Sequence, residues 1–417
     1  MGADLACTTA AAPGPKTPLV SVLVVTFNPD EGSLKRCLAS VACQTHDNLE
    51  LILVDNGSSG LPGARLLETV QAAAGDSLPT KFHRQGTNTG FAHAMNIAVG
   101  AASGSLCLLL NPDTELEPGA VAALVARASQ HPEAVGFAPK VKLLAYPDII
   151  DSVGIEFSLG GDAAQRGLGQ VDLGQFDAPE PVMGLTLGAA LIRRTAFADD
   201  EVGRLDERFF MFFEDVDWSM RAGLYGKQFL AVPEAVVLHA GSESVRQRPF
   251  NWRYRLIERN VYYTAIKNFE TRHLVRFLFQ RTSAHLRKMV KGERPFTTAR
   301  VLAEATLALA SMRPERRIVQ SRRRRRDSDL ANAQPTRPAL DLELWRPLYR
   351  WEAVRDSLGR LYAVGGDERW SRAYRYLDLM LEFDLKLNPT EVLGRLEEIA
   401  GPMPAALQAY ARQIGSP

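Results

Sequence analysis

VSVLVVTFN at residues 20–28 and LELILVDNGSS at residues 49–59 decide the fold. Both open on aliphatic and β-branched residues, broken only by Ser21 and Glu50, the pattern of strands buried on both faces. Between them, Glu31 to Cys43 has helical spacing, with Leu34, Leu38 and Val41 on one side. The same alternation continues with a helix expected around 64–74, a short strand near Phe82, a helix over 90–102 and the strand LCLLL at 106–110. Strands alternating with helices predict an α/β fold with a mostly parallel sheet covered on both faces. In such a sheet the loops at the carboxyl ends of the strands hold ligands. The polar residues fall there: Thr26 and Asn28 after the first strand, Asp55 and Asn56 after the second, Asn111 and Asp113 after LCLLL.

The alternation weakens after Val141. Residues 145–180 are rich in Gly and Asp and read as a partly looped region. GAALIRR (188–194) returns as a strand, Asp215 to Tyr225 reads as a helix, and FLAVPEAVVLH (229–239) is extended and ends on His239. These patterns divide the chain into a disordered stretch over 1–17, a catalytic domain over 18–250, a basic helical segment over 251–326, a linker over 327–340 and a small helical appendage over 341–417.

Composition limits the function classes. At 417 residues with 46% hydrophobic and 23% charged residues, the chain has the makeup of a soluble globular protein. Its four cysteines show neither a CxxC pair nor metal spacing, which fits a reduced, cytosolic protein. No apolar run approaches a membrane-spanning helix. The net charge of +1 conceals an asymmetry, because Arg272 to Arg326 carries sixteen Lys/Arg against three acids. That segment is expected to dock on an anionic lipid surface; the plainer reading is a solvated face plus a flexible run, Arg322 to Arg326. Few aromatics and no recognisable module argue against nucleic acid.

FFMFFEDVDWSMR (209–221) sets five bulky apolar residues against Glu214, Asp215 and Asp217. Carboxylates crowded on an apolar wall call for a general base, a metal ligand or both. The other polar sites each have two readings. Asp55 suits a pyrimidine N3–H, or is an Asx turn leaving a strand. Gly90 lets the chain turn into a helix whose amino end can face phosphate, with Asn88 and Asn96 near a sugar or diphosphate, or the stretch is an ordinary helix cap. Asp113 is placed to hold a hard divalent cation, or opens a turn. His239 is structural, or joins Asp113 and Asp215 around Mg²⁺ or Mn²⁺.

Seven segments in this order resemble glycosyltransferase family 2 with the GT-A fold: VSVLVVTFN, LILVDNGSS, NTGFAHAMNIAVGAASG, LLLNPDTEL, GAALIRRTAF, FFMFFEDVDWSMR and VPEAVVLHAG, over about residues 19 to 250. NPD in place of DxD, the FEDVD box and the basic helical tail look most like rhamnosyltransferase-type enzymes of surface polysaccharide synthesis. The resemblance implies a GT-A-type nucleotide-binding sheet with a helical C-terminal extension. It implies an inverting transferase moving a hexose or deoxyhexose from a dTDP- or UDP-sugar, best matched by L-rhamnose from dTDP-rhamnose, to a lipid-linked or polysaccharide acceptor at the inner face of the cell membrane. By the same resemblance, Thr26, Asn28, Asp55 and Asn56 line the nucleotide, and Asn88, Gly90 and Asn111 face ribose and diphosphate. Asp113 and His239 hold Mg²⁺ or Mn²⁺, Asp215 is the catalytic base, Glu214 and Trp218 face the acceptor, and Arg221 pairs with Asp217. Asn111 departs from the family's first acid, which leaves the strictness of metal dependence open. Two other classes compete: a sugar-1-phosphate nucleotidylyltransferase, which needs a Gly-rich basic loop where this chain has TFNPDEGS, and a catalytically silent binding subunit, supported by Asn111 alone.

Overall fold

A computed structural model describes residues 17–59, 65, 68, 72, 78–144, 146–170, 172–240, 249–330, 347–382, 389–406 and 408–409. The N-terminal stretch expected to be disordered (but for Thr17), most of the helix expected around 64–74, and the part of the expected linker beyond Leu330 lie outside the described residues.

The two deciding stretches form β1 (Val20–Thr26) and β2 (Leu49–Asp55), every residue of both buried. They pair in parallel, with Thr26 opposite Asp55. The helix between them is α1 (Glu31–Ala42), started by Asp30, whose carboxylate accepts from the Ser33 amide at 2.8 Å. β3 (Thr80–Arg84) adds to β2 in parallel, and α2 (Phe91–Ala101) returns the chain to β4 (Leu106–Leu110), which is parallel to β1. β5 (Thr114–Leu116), α3 (Ala120–Gln130) and β6 (Ala134–Leu143) follow.

The region from 145 to 180 holds more structure than its composition suggested: β7 (Tyr146–Ser152) pairs with β6, and β8 (Ile155–Phe157) pairs with β9 (Ala163–Gln165). Short strands interrupted by glycine carry too little periodicity to be read from sequence. β10 (Pro181–Val182), β11 (Ala189–Arg193), α4 (Glu214–Leu224) and β12 (Gln228–His239) complete a ten-stranded sheet. Its main path runs β10-β12-β6-β11-β4-β1-β2-β3. β11 runs antiparallel to both β4 and β6, while β6 and β12 are parallel. The carboxyl ends of β1, β2, β4, β6 and β12 therefore share one edge. Aliphatic side chains pack both faces: Val22, Leu34, Leu51 and Leu108 on one, Leu23, Ile52, Met95 and Leu109 on the other.

Four helices cover the 251–326 segment: α5 (Phe250–Asn268), α6 (Thr271–Val290), α7 (Pro295–Ser311) and α8 (Arg313–Arg322). They form a third core with α4 through Phe209, Val216, Tyr262, Phe277 and Val301. The arginine run is held rather than loose. Arg322 donates to the Asp199 carbonyl at 2.6 Å, Arg323 to Asp327 at 2.7 Å and Arg325 to the Asp329 carbonyl at 2.9 Å. Asp327 and Leu330, read as the start of a linker, are buried against this body. Beyond lie α9 (Pro347–Gly365), α10 (Glu368–Glu382) and α11 (Pro389–Ala400), whose core of Trp351, Leu358, Leu377 and Leu396 also takes in Leu143 and Ile149.

Candidate active site

The polar residues at the shared sheet edge are built into two groups. At the ends of β1 and β2, Thr26 and Asp55 are buried side by side. Asp55 Oδ1 accepts from the Ser58 amide at 3.1 Å. Its Oδ2 makes no hydrogen bond and lies 3.3 Å from Arg84 Nε, and Thr26 Oγ1 also lacks a hydrogen bond. Buried polar atoms with unused hydrogen-bonding capacity are costly, so this pair is suited to a ligand that brings its own donor and acceptor. Asn28, at φ 45°, ties the neighbouring turn down: its amide donates to Ser58 Oγ at 2.8 Å and its Oδ1 accepts from the Ser59 amide at 2.8 Å.

At the other end of the edge, β5 pairs with β12 so that Thr114 stands opposite His239. This brings Asp113 Oδ2 to 3.5 Å from His239 Nε2. His239 Nδ1 is held by Asp151 Oδ2 at 2.9 Å, and Nε2 makes no hydrogen bond. Burial disfavours the imidazolium, but Asp113 and Asp151 outweigh it and raise the pKa to about 10. A buried ring nitrogen aimed at a carboxylate, its other nitrogen oriented by a second carboxylate, is the donor arrangement of a histidine metal ligand. The residues therefore fit a divalent cation, which would displace the proton that the two carboxylates otherwise hold on His239. Asp151 escaped the sequence reading because 88 positions separate it from His239. Asn111 is half-buried; its amide donates to the Gly188 carbonyl at 2.8 Å, and its carbonyl accepts from Thr114 Oγ1 at 2.6 Å.

Several expected ligands serve the scaffold instead. Asn56 is buried and fully engaged: its Nδ2 donates to Asn88 Oδ1 and the Gly90 carbonyl, both at 3.1 Å, and its Oδ1 accepts from Thr89 N and Oγ1. Asn88 Oδ1 also accepts from the Gly90 amide at 2.9 Å. The amino end of α2 does not await phosphate, because the Phe91 amide is bonded to the Phe210 carbonyl at 2.6 Å. Gly90 has φ 91°, and a Cβ there would fall 2.6 Å from that carbonyl. Its glycine is required by the approach of the 209–213 loop. Gly90→Ala is expected to lower stability by about 2 kcal/mol or more and to displace the loop, read as a fall in thermal midpoint together with lost activity. Asn96 is likewise buried, bonded to Leu205 and Glu207.

That loop is unusual. Phe210, Phe212 and Phe213 have φ of 67°, 68° and 65°, a region bulky residues rarely occupy. Such strain, on the order of 1 kcal/mol or more per residue, persists only where surrounding contacts impose it. Here α5 imposes it. Asn260 Nδ2 reaches the carbonyls of Phe209, Met211 and Phe212 at 3.0, 2.9 and 2.7 Å, and Arg259 Nη2 adds bonds to Arg208 and Phe209.

The loop delivers three acids to the first turn of α4, and each meets a different environment. Asp217 is fully buried and bonded by Lys267 at 2.7 Å and Asn268 at 2.8 Å. Arg221, the expected partner, stands 3.8 Å away and donates mainly to the carbonyls of Val202 and Arg204. The expected i,i+4 pair is thus present but long, and the closer partners come from α5. Trp218, expected to face an acceptor, is wholly buried, its indole N–H on the Gly203 carbonyl at 2.7 Å and its ring between Phe197 and Phe229. Asp215 stays partly open to solvent, its Oδ1 accepting from the Val216 amide at 2.8 Å. Burial raises its pKa to about 6. Burial and the neighbouring Asp215 charge raise Glu214 to about 8, and Glu214 Oε2 makes no hydrogen bond. Both carboxyls are held above the ordinary carboxylate range, which suits the pair to take a proton from a hydroxyl near neutral pH.

Comparison with known proteins bears on these groups. The family described as Glycosyl transferase family 2 matches residues 21–199. An N-acetylglucosaminyl-diphospho-decaprenol L-rhamnosyltransferase of Mycobacterium tuberculosis is 31% identical over 261 residues, covering 56% of this chain and 80% of that one. An N-acetylglucosaminyltransferase of Bradyrhizobium elkanii is 33% identical over 111 residues, 26% of this chain and 59% of that one. Among solved structures, S. aureus TarS (residues 1–349) with UDP-GlcNAc overlaps at a TM-score of 0.48 and 16% identity, covering 73% of this chain and 88% of that one.

Proposed function

Because the chain belongs to glycosyl transferase family 2 and is a glycosyltransferase of the GT-A type, we propose that it transfers L-rhamnose from dTDP-rhamnose, with inversion, to a lipid-linked acceptor. The observation that carries this reading is the single sheet edge holding Asp55 and Thr26 at one end and Asp113 with His239 at the other. Asp55 Oδ2 would accept a pyrimidine N3–H, and Thr26 Oγ1 would bond a base carbonyl or ribose. Asp113 and His239 would hold Mg²⁺ or Mn²⁺, with Asp151 fixing the imidazole. When bound, the cation supplies positive charge against the departing diphosphate.

The chain's own residues do the rest. Asp215 accepts the proton of the attacking acceptor hydroxyl. Glu214, protonated, donates to a neighbouring acceptor oxygen and orients it. α5 fixes both through the loop carbonyls. A single displacement needs no second nucleophile, so the anomeric centre inverts. The similarity to a relative named for rhamnosyl transfer to N-acetylglucosaminyl-diphospho-decaprenol supports the sugar and the acceptor class. Among the described residues no helix is long and apolar enough to cross a membrane, so contact with such an acceptor would be peripheral, at the inner face, through 272–326.

Calorimetric titration with dTDP-, UDP- and GDP-rhamnose or -glucose tests the donor. The proposal expects tight binding of dTDP-rhamnose only with Mg²⁺ or Mn²⁺ present, and it fails if none of these sugars binds. Asp151→Asn is expected to weaken Mn²⁺ binding about 10- to 100-fold, measured by titration of the metal alone. Activity should rise with pH through about 6 as Asp215 ionises. Glu214→Gln, which keeps that position neutral, should leave the acid limb in place in a kcat–pH profile.

A further inference from the structure

The basic segment carries an apolar face that its charge pattern hides. On α6, Val275, Phe279, Leu286 and Val290 are all exposed, Val290 to 90%. Their spacing of 0, 4, 11 and 15 residues puts all four within one narrow stripe of the helix. The opposite side of α6 is the packed one: Leu274 and Phe277 are buried, and the Phe277 ring meets Tyr262 of α5 at 5.4 Å. On α7, Phe296 and Leu307 are also exposed, Phe296 to 90%. An exposed apolar stripe such as that of α6 marks an interaction site.

Charge identifies the occupant. α6 contains no Asp or Glu. Arg276, Arg287 and Lys291 each follow a stripe residue by one position, so cations run along one border of the stripe. Much of the basic segment is unavailable for surface attraction, because Arg281 pairs with Glu258 and Asp162, Arg255 takes up Glu304, and Arg316 and Arg323 bond α5 carbonyls. Apolar side chains beside unopposed cations match the acyl boundary and anionic headgroups of a bilayer.

We propose that the stripe Val275, Phe279, Leu286 and Val290 inserts into the headgroup–acyl boundary of an anionic membrane. This deepens the peripheral reading above and rests on it. Charge alone would hold the protein outside the headgroups; the stripe makes attachment partly independent of salt. α6 packs on α5, and α5 grips the loop bearing Asp215, so the inserted helix stands one helix away from the proposed base. A lipid-linked acceptor would be met at that surface.

The test is flotation of the full chain with vesicles of phosphatidylglycerol and phosphatidylcholine, at low and high salt. Phe279→Ser with Val290→Ser should weaken binding about 100-fold at both salt levels, since burying each such side chain is worth roughly a factor of ten. Arg276→Gln with Arg287→Gln should weaken it chiefly at low salt. Donor-sugar hydrolysis without vesicles should be unchanged in both, which shows that the variants fold. Three results would overturn the proposal: wild-type protein that does not float, an apolar variant that floats like wild type, or a wild-type dimer that the apolar variant converts to monomer without vesicle binding. Loss of transfer to every acceptor, with the flotation difference intact, would count against the rhamnosyl reading and leave membrane insertion standing.

Discussion

Asp215→Asn is expected to lower kcat about 10²- to 10⁴-fold, the usual contribution of a positioned general base. Donor binding should be nearly unchanged if, as proposed, the nucleotide is read at Thr26 and Asp55 and the metal is held at Asp113 and His239. The amide keeps the shape of the carboxylate and can still accept from the Val216 amide, so α4 should start as before. What it cannot do is take a proton. The pKa of about 6 makes Asp215 a stronger base than an ordinary carboxylate while leaving it ionised at neutral pH. Single-turnover rates and donor titration on one preparation separate the two effects. Equal loss of binding and rate would point instead to a donor-binding or structural role.

Lys267→Met should give the largest loss of stability. Lys267 is buried and sits between Asp217 and Asp206, at 2.7 and 2.8 Å. Burial works against ionisation of Asp206, but Arg208 and Lys267 hold its carboxyl well below the usual range. Removing the ammonium leaves Asp217 buried with Asn268 and the more distant Arg221 beside it. Breaking such a pair typically costs about 3–5 kcal/mol, a large share of the roughly 5–15 kcal/mol that holds a domain folded. Adding Asp217→Asn should recover part of the loss, and the double-mutant cycle in urea unfolding measures the coupling. Arg221→Ala should cost less, since Arg221 lies 3.8 Å from Asp217 and spends its donors on backbone carbonyls.

The contrast between Lys267 and Arg221 shows what sequence can carry. β1, β2 and β4 were legible because buried parallel strands leave a largely apolar run, and Asp55, Asp113 and His239 were legible because polar residues stop those runs. Which polar side chain is left over for a ligand was not legible. Asn56, Asn88 and Gly90 lie at turns that suit a nucleotide or diphosphate, yet their side-chain bonds knit those turns to one another. Trp218 follows the acids directly, but a helix turns it 100° per residue and into the core. Lys267, Asn268 and Asn260 lie about 50 residues from what they hold, on a helix whose composition spoke only of charge. Their contacts depend on α5 packing against α4, and no local spacing encodes that.

The most direct test is NMR of the product formed from dTDP-L-rhamnose, whose sugar is β-linked to the diphosphate, with a polyprenyl-diphospho-N-acetylglucosamine acceptor and Mg²⁺ or Mn²⁺. The account predicts stoichiometric release of dTDP and an α-linked rhamnosyl product, the inverted configuration of one displacement over Asp215. A β-linked product, or no turnover of any nucleotide sugar by the metal-loaded protein, would contradict it.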